Sequence, residues 1–166
     1  MRIRSGRRIL RSMVPPNWIF WPDGSTSSVV ARACAENDCV VLSIFVNPTQ
    51  FNDPADLEKY PRTLEADLML AADLIDHVIV PAAAEIYPDN YTYRVTEDFL
   101  SRRMEGAHRP GHFDGVLTVV LKLMHLTRPD VALFGRKDAQ QLAAVRRMVR
   151  DLEGRVRWRR WRRSGV

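Results

Sequence analysis

The run Cys39–Val46 (CVVLSIFV) constrains the fold more than any other stretch of the chain. A strand with one wet face alternates apolar and polar residues. This one is apolar and largely β-branched throughout, so it reads as a strand buried on both faces, the kind found in parallel sheets covered by helices. Asn47-Pro48-Thr49 ends it, because proline has no amide to donate and biases the preceding residue away from helix. His77–Pro81 (HVIVP) and Asp130–Phe134 (DVALF) read as two further short buried strands. Thr92–Thr96 alternates less clearly and reads as an edge strand.

Helical patterns separate these strands. Thr63 opens a helix with Glu65 and Asp67 in its acidic first turns, and Leu64, Leu68, Ala71, Ala72 and Ile75 share one face. Phe113–Leu126 places Val116, Val119, Val120, Leu123 and Met124 on one face. A last helix runs from about Asp138 to Leu152, with Leu142, Val145, Val149 and Leu152 inward. The stretch FNDPADLEKYPR (51–62) has turn chemistry and reads as a loop. Strands and helices in this order follow the grammar of a parallel, doubly wound α/β sheet. Ligands of such sheets sit beyond the carboxyl ends of the strands. Two loops stand there, Asn47–Phe51 and Gly135–Asp138.

Composition matters mainly through its distribution. Of the 166 residues, 46% are hydrophobic and 27% charged, which excludes disorder, collagen and coiled coil as the main description. No apolar run approaches the roughly 18 residues of a spanning helix. The net charge is +5, but residues 1–35 carry six Arg and one acid, and residues 154–166 six Arg and none. Residues 36–153 hold 13 basic against 19 acidic residues, a net of −6. All four Trp lie in the two basic ends. The chain therefore divides into an atypical basic segment 1–34, a core 35–152 and an Arg/Trp-rich tail 153–166. The start is basic, but Pro15, Pro16 and Asn17 interrupt any apolar targeting segment. Cys34 and Cys39 are too few for a disulfide framework, which points to a reduced, cytoplasmic protein.

Gly135-Arg136-Lys137-Asp138 leaves a strand and enters a helix. Glycine permits close backbone approach, helix N-terminal amides favour an anion, and Lys137 adds a point charge suited to phosphate. A plain N-cap by Asp138 beside a solvated lysine explains the same four residues. Asn47, Gln50, Gln140 and Gln141 offer amides to a small polar substrate, or are simply exposed. Arg109 suits an anion, and His112 suits a ligand, a base or a cap. Dinucleotide and phosphate-loop glycine motifs, metal-ligand clusters and a Ser-His-Asp elbow are missing.

SIFVNPTQF (43–51), YPRT (60–63), EGAHRPGHFDGVLTVVLKL (105–123) and PDVALFGRKDAQQL (129–142) resemble the pantothenate synthetase (pantoate–beta-alanine ligase) family, over about 35–152. The resemblance implies a Rossmann-like fold of nucleotidyl transferase type, and condensation of pantoate with beta-alanine through a pantoyl-adenylate. It implies ATP and Mg²⁺, and usually a cytoplasmic homodimer, with no membrane and no nucleic acid. By the same resemblance Gly135, Arg136, Lys137 and Asp138 contact ATP, with Arg136 standing where the family has glutamate. Gln50 matches the glutamine that holds pantoate and lies near beta-alanine, Gln141 matches the second pantoate glutamine, and Asn47 matches the asparagine of the first loop.

The chain also departs from the family. Pro22–Ala33 (PDGSTSSVVARA) occupies the place of a His-x-Gly-His motif and has no histidine. No first strand or Met-Gly loop is recognisable in NWIFWP (17–22). Past Leu152 the resemblance stops, so the Ser-Ser-Arg segment and the small C-terminal domain are not matched. Metal ligands stay unassigned. These departures imply little or no ligase activity for the chain alone, and exposed apolar surface with poor solubility. The competing reading is an inactive or frameshifted remnant whose basic tails (RVRWRRWRR) bind nucleic acid or acidic surfaces.

Overall fold

In a computed structural model, the structure describes residues 11–14, 25–60, 64–72, 74–134, 138–152 and 157–160. Its elements are β1 (Arg11–Val14), α1 (Ser25–Glu36), β2 (Cys39–Ser43), α2 (Pro54–Lys59), α3 (Leu64–Ala71) and β3 (His77–Ile79). They continue as α4 (Ala83–Ile86), α5 (Glu105–His108), α6 (His112–Thr127), β4 (Val131–Phe134), α7 (Ala139–Asp151) and β5 (Arg157–Arg160). The strands form one sheet in the order β3-β2-β1-β4-β5, and every pairing is parallel. The chain order therefore reverses between β1 and β4, and the expected parallel α/β sheet is present.

Helices cover both faces of the sheet, which is why β2 and β4 are buried along nearly their whole length. Along β4 the side chains alternate. Val131 and Leu133 pack with Val29 and Ala33 of α1 and with Val40 and Leu42 of β2. Ala132 and Phe134 point the other way, into the larger cluster that includes Val116, Val120 and Leu123 of α6 and Val145 and Val149 of α7. All four β4 residues are buried. Helix α6 has ten buried residues, including each apolar position that its spacing predicts.

The sheet also draws on segments that the charge arithmetic sets apart as ends. β1 lies at its centre, upstream of NWIFWP, which falls outside the described residues. β5, from the Arg/Trp-rich stretch, pairs with β4 from Val131↔Arg157 to Phe134↔Arg160.

Several sequence expectations fail for physical reasons. The strand at 77–81 is shorter and exposed, because β3 is an edge strand with a partner on one side only. The predicted inner face of α3 is not buried: Leu64 and Ala72 are exposed, and Leu68 and Ile75 half-buried. An edge strand of three residues offers α3 little surface to cover. Thr92–Thr96 forms no strand; the Val95 amide donates to the Thr118 hydroxyl of α6 at 2.8 Å. The stretch 51–62 contains α2, which Asp53 caps by accepting from the Ala55 amide at 2.8 Å. Leu152 is the C-cap of α7 and is exposed. Among the described residues no helix is long and apolar enough to cross a membrane.

Leu123 is fully enclosed in the larger cluster, whereas Leu152 is 54% exposed. Leu123→Ala should lower the unfolding free energy by about 2–5 kcal/mol, and Leu152→Ala by no more than about 0.5 kcal/mol. Urea unfolding of the two variants checks this.

Candidate functional site

A cavity of about 260 Å³ opens where the loops after β2 and β4 converge with the start of α6. Asn47, Gln50, Phe51 and Tyr60 line it on one side, Glu105, Arg109 and His112 on another, and Asp138 and Gln141 on a third. This is the place beyond the strand ends where doubly wound sheets hold ligands.

The first wall is a single 3-10 turn, Pro48–Gln50, with Asn47 as its cap. Proline at the first position presets the backbone. The Asn47 Oδ1 accepts from the Thr49 amide at 3.3 Å, the Thr49 hydroxyl at 3.0 Å and the Tyr87 hydroxyl at 2.8 Å. Its Nδ2 donates to the Gly115 carbonyl of α6 at 3.1 Å. Asn47 is 1% exposed. Its side chain therefore holds the turn against α6, although the residue also borders the cavity.

Gly115 makes that seating possible. A β-carbon there would lie 2.7 Å from both the carbonyl oxygen and the hydroxyl of Thr49. The signal was legible as a lone glycine inside an apolar helix, which marks a close backbone approach. Tyr87 had no such signal, since it lies 40 residues along the chain from Asn47.

The second wall hangs on the Gln50 carbonyl. It accepts from Arg109 Nη2 at 3.2 Å and from His112 Nδ1 at 3.0 Å. Gly111, at φ 78°, turns the chain into α6 and brings His112 inward. Glu105 steadies Arg109 from α5, with Nη1 donating at 3.3 Å. Burial is the main cause that pushes the His112 pKa down; the Arg109 charge adds to this, and the Gln50 bond opposes it. Since a carbonyl only accepts, Nδ1 carries the proton. In the neutral ring Nε2 is then an acceptor. Burial likewise pushes the Tyr87 hydroxyl pKa up, which keeps it a donor to Asn47.

The third wall is the start of α7. Asp138 occupies the N-cap position, but its side chain makes no capping hydrogen bond, so the simple cap explanation fails in its detail. Gly135, Arg136 and Lys137 lie outside the described residues, as do Pro22–Gly24 of the stretch without histidines. Of the sequence-predicted site residues, Asn47, Gln50, Asp138 and Gln141 all border the one cavity. Among the described residues no group of three or more His, Cys, Asp or Glu could hold a metal ion.

The family model described as "Pantoate-beta-alanine ligase" matches residues 24–160, reaching beyond 35–152 at both ends. The chain is 60% identical over 126 residues to a pantothenate synthetase of Acidothermus cellulolyticus, covering 75% of this chain and 42% of that protein. It is 52% identical over 154 residues to the Streptomyces coelicolor pantothenate synthetase, covering 91% and 45%. A crystal structure of the Francisella tularensis pantoate-beta-alanine ligase, complexed with beta-gamma ATP and beta-alanine, superposes with a TM-score of 0.87. It is 37% identical, covering 92% of this chain and 59% of that one. The chain thus spans about half the length of the curated relatives it matches.

Two outcomes follow from this geometry. Alanine is favoured over glycine inside a helix by about 1 kcal/mol, but at Gly115 the new methyl meets a backbone oxygen that cannot rotate away. Gly115→Ala should therefore destabilise the fold by about 1–3 kcal/mol and displace the turn, measurable as a lower denaturation midpoint. For His112, the unfolded chain binds a proton near pH 6.5 and the folded chain only at lower pH. Its contribution is therefore present above about pH 6.5 and lost as pH falls through that value toward the folded pKa. His112→Asn should flatten that part of the stability profile; an unchanged slope between about pH 7.5 and 5.5, roughly one unit either side of the unfolded value, would contradict the assignment.

Proposed function

The chain belongs to the pantoate–beta-alanine ligase family, and from that premise we propose that it is the substrate-binding core of an ATP-dependent ligase joining pantoate to beta-alanine. The pantoate carboxylate attacks the α-phosphorus of ATP and expels pyrophosphate, leaving pantoyl-adenylate. The amine of beta-alanine then attacks the acyl carbon, AMP departs, and the amine proton is released. A carboxylate is a poor acyl donor, and adenylation gives it a good leaving group. The protein's part is to position both substrates and to stabilise developing charge.

The observation that carries this reading is the convergence of Gln50 and Gln141 on one cavity at the ends of β2 and β4. Two amides there suit the hydroxyl and carboxylate of pantoate. Asn47 serves by fixing the turn that carries Gln50. Arg109 is the Lys or Arg among the described lining residues, which suits a carboxylate-bearing substrate. Gly135, Arg136, Lys137 and Asp138 form the ATP side, with Lys137 meeting the phosphates. Mg²⁺ belongs with the nucleotide, since it is held largely by phosphate oxygens and water with one or two carboxylates, a demand that Asp138 at the cavity edge fits. Following the family, the reaction is cytoplasmic and the assembly a homodimer.

The test is pantoate-dependent exchange of pyrophosphate into ATP, followed by AMP release on adding beta-alanine. Gln50→Ala and Gln141→Ala should each weaken pantoate binding by about 10- to 100-fold, the loss of a hydrogen bond to a charged group. Because Pro22–Ala33 contains no histidine, overall turnover should lie at least about 100-fold below that of a relative with the His-x-Gly-His motif. Pantoate binding that ignores both glutamines would overturn the assignment.

A further inference from the structure

Gln140, in the first turn of α7, is tied to the cavity wall from outside. Its Nε2 donates to the carbonyls of Leu100 and Arg103, both at 2.7 Å, and its Oε1 accepts from the Glu105 amide at 3.1 Å. A primary amide has two N–H donors and one acceptor oxygen. All three functions are engaged with the backbone of one short segment.

That segment does not hold its shape by local preference. Met104 has φ 50° and ψ −124°, a left-handed region that a side chain disfavours, and its side chain is 76% exposed. No burial of Met104 compensates. The peptide groups on either side of it, the Arg103 carbonyl and the Glu105 amide, both bond to Gln140. The segment is also closely folded on itself: a β-carbon on Gly106 would lie 2.2 Å from the Ser101 carbonyl oxygen. Leu100 to Gly106 is thus a compact turn fastened to α7 through Gln140. Glu105, within it, and Arg109, just after it, line the cavity, and Arg109 donates to both Glu105 and the Gln50 carbonyl.

We propose that Gln140 is a positioning residue: it clamps the 100–106 segment in its strained shape onto α7 and thereby fixes Arg109 and Glu105 against the Gln50 turn. Gln141, its neighbour, borders the cavity, so the two adjacent glutamines divide the work between holding a wall and facing a substrate. The consequence for substrate affinity rests on the ligase reading; the clamp itself does not.

The test uses the full 166-residue chain with Gln140→Met, which keeps length and volume but neither donor nor acceptor, and with Gln140→Ala. Hydrogen–deuterium exchange is read on 100–112, with 113–134 as the internal reference, and beta-alanine affinity by calorimetry in the presence of ATP. Both variants should speed exchange of 100–112 by about tenfold while 113–134 stays within about twofold, and should weaken beta-alanine binding by about tenfold. Wild-type exchange in Gln140→Met would mean that the side chain only fills space, and equal loosening of both segments that it only adds general stability; either result overturns the clamp. An unaltered chain that binds no beta-alanine would count against the ligase reading, while the exchange measurement still decides for or against Gln140.

Discussion

The walls of the cavity are referred to one close contact, the seating of the Asn47–Gln50 turn on Gly115 of α6. Asn47 bonds across that contact in four directions, to the Thr49 amide and hydroxyl, the Tyr87 hydroxyl and the Gly115 carbonyl. The turn then exports its position through the Gln50 carbonyl to Arg109 and His112. A buried polar network is worth having only when its members are satisfied. Asn47 meets that condition with both ends of its amide bonded, which is why a polar residue can sit 1% exposed between a strand and the central helix.

The electrostatics follow from burial more than from charge. His112 is kept neutral by desolvation, and Arg109 beside it reinforces that state. A neutral imidazole and a guanidinium share one carbonyl, an arrangement that would be repulsive if the ring were protonated. The basic excess of the chain lies elsewhere. Part of it, Arg157–Arg160, is backbone-paired to β4 inside the sheet, and the family match runs to residue 160. Charge counting separates this stretch from the core; hydrogen bonding joins it.

The fold class was legible because burial on both faces removes the polar alternation of a strand, as Val40–Leu42 and Val131–Phe134 do. The helix faces of α6 and α7 were legible because the spacing of Val116, Val120, Leu123, Val145 and Val149 matches one turn period. Leu64, Leu68 and Ala72 have the same spacing and failed, since a pattern says which face is apolar and not whether anything lies opposite it. Gln50, Asp138 and Gln141 could be placed near one another from strand ends alone. Gly115 announces a close approach but not its partner, and Tyr87 and Gln140 could not be assigned their roles, because each acts through a contact with a segment distant in sequence. β1 was missed because RSMV has neither length nor an apolar run, and its place between β2 and β4 is a tertiary fact.

That place has a kinetic consequence. β1 comes first in the chain but pairs with β2 and also with β4, whose partner residue to Ser12 is Val131. Contacts that close long loops form late. Until Val131 has been synthesised, β1 and β2 can present only an unfinished ribbon with an open backbone edge. Nascent chains with such edges associate with one another readily. The middle strand of this sheet is thus a keystone set in advance of its arch, and its second edge stays open until β4 arrives.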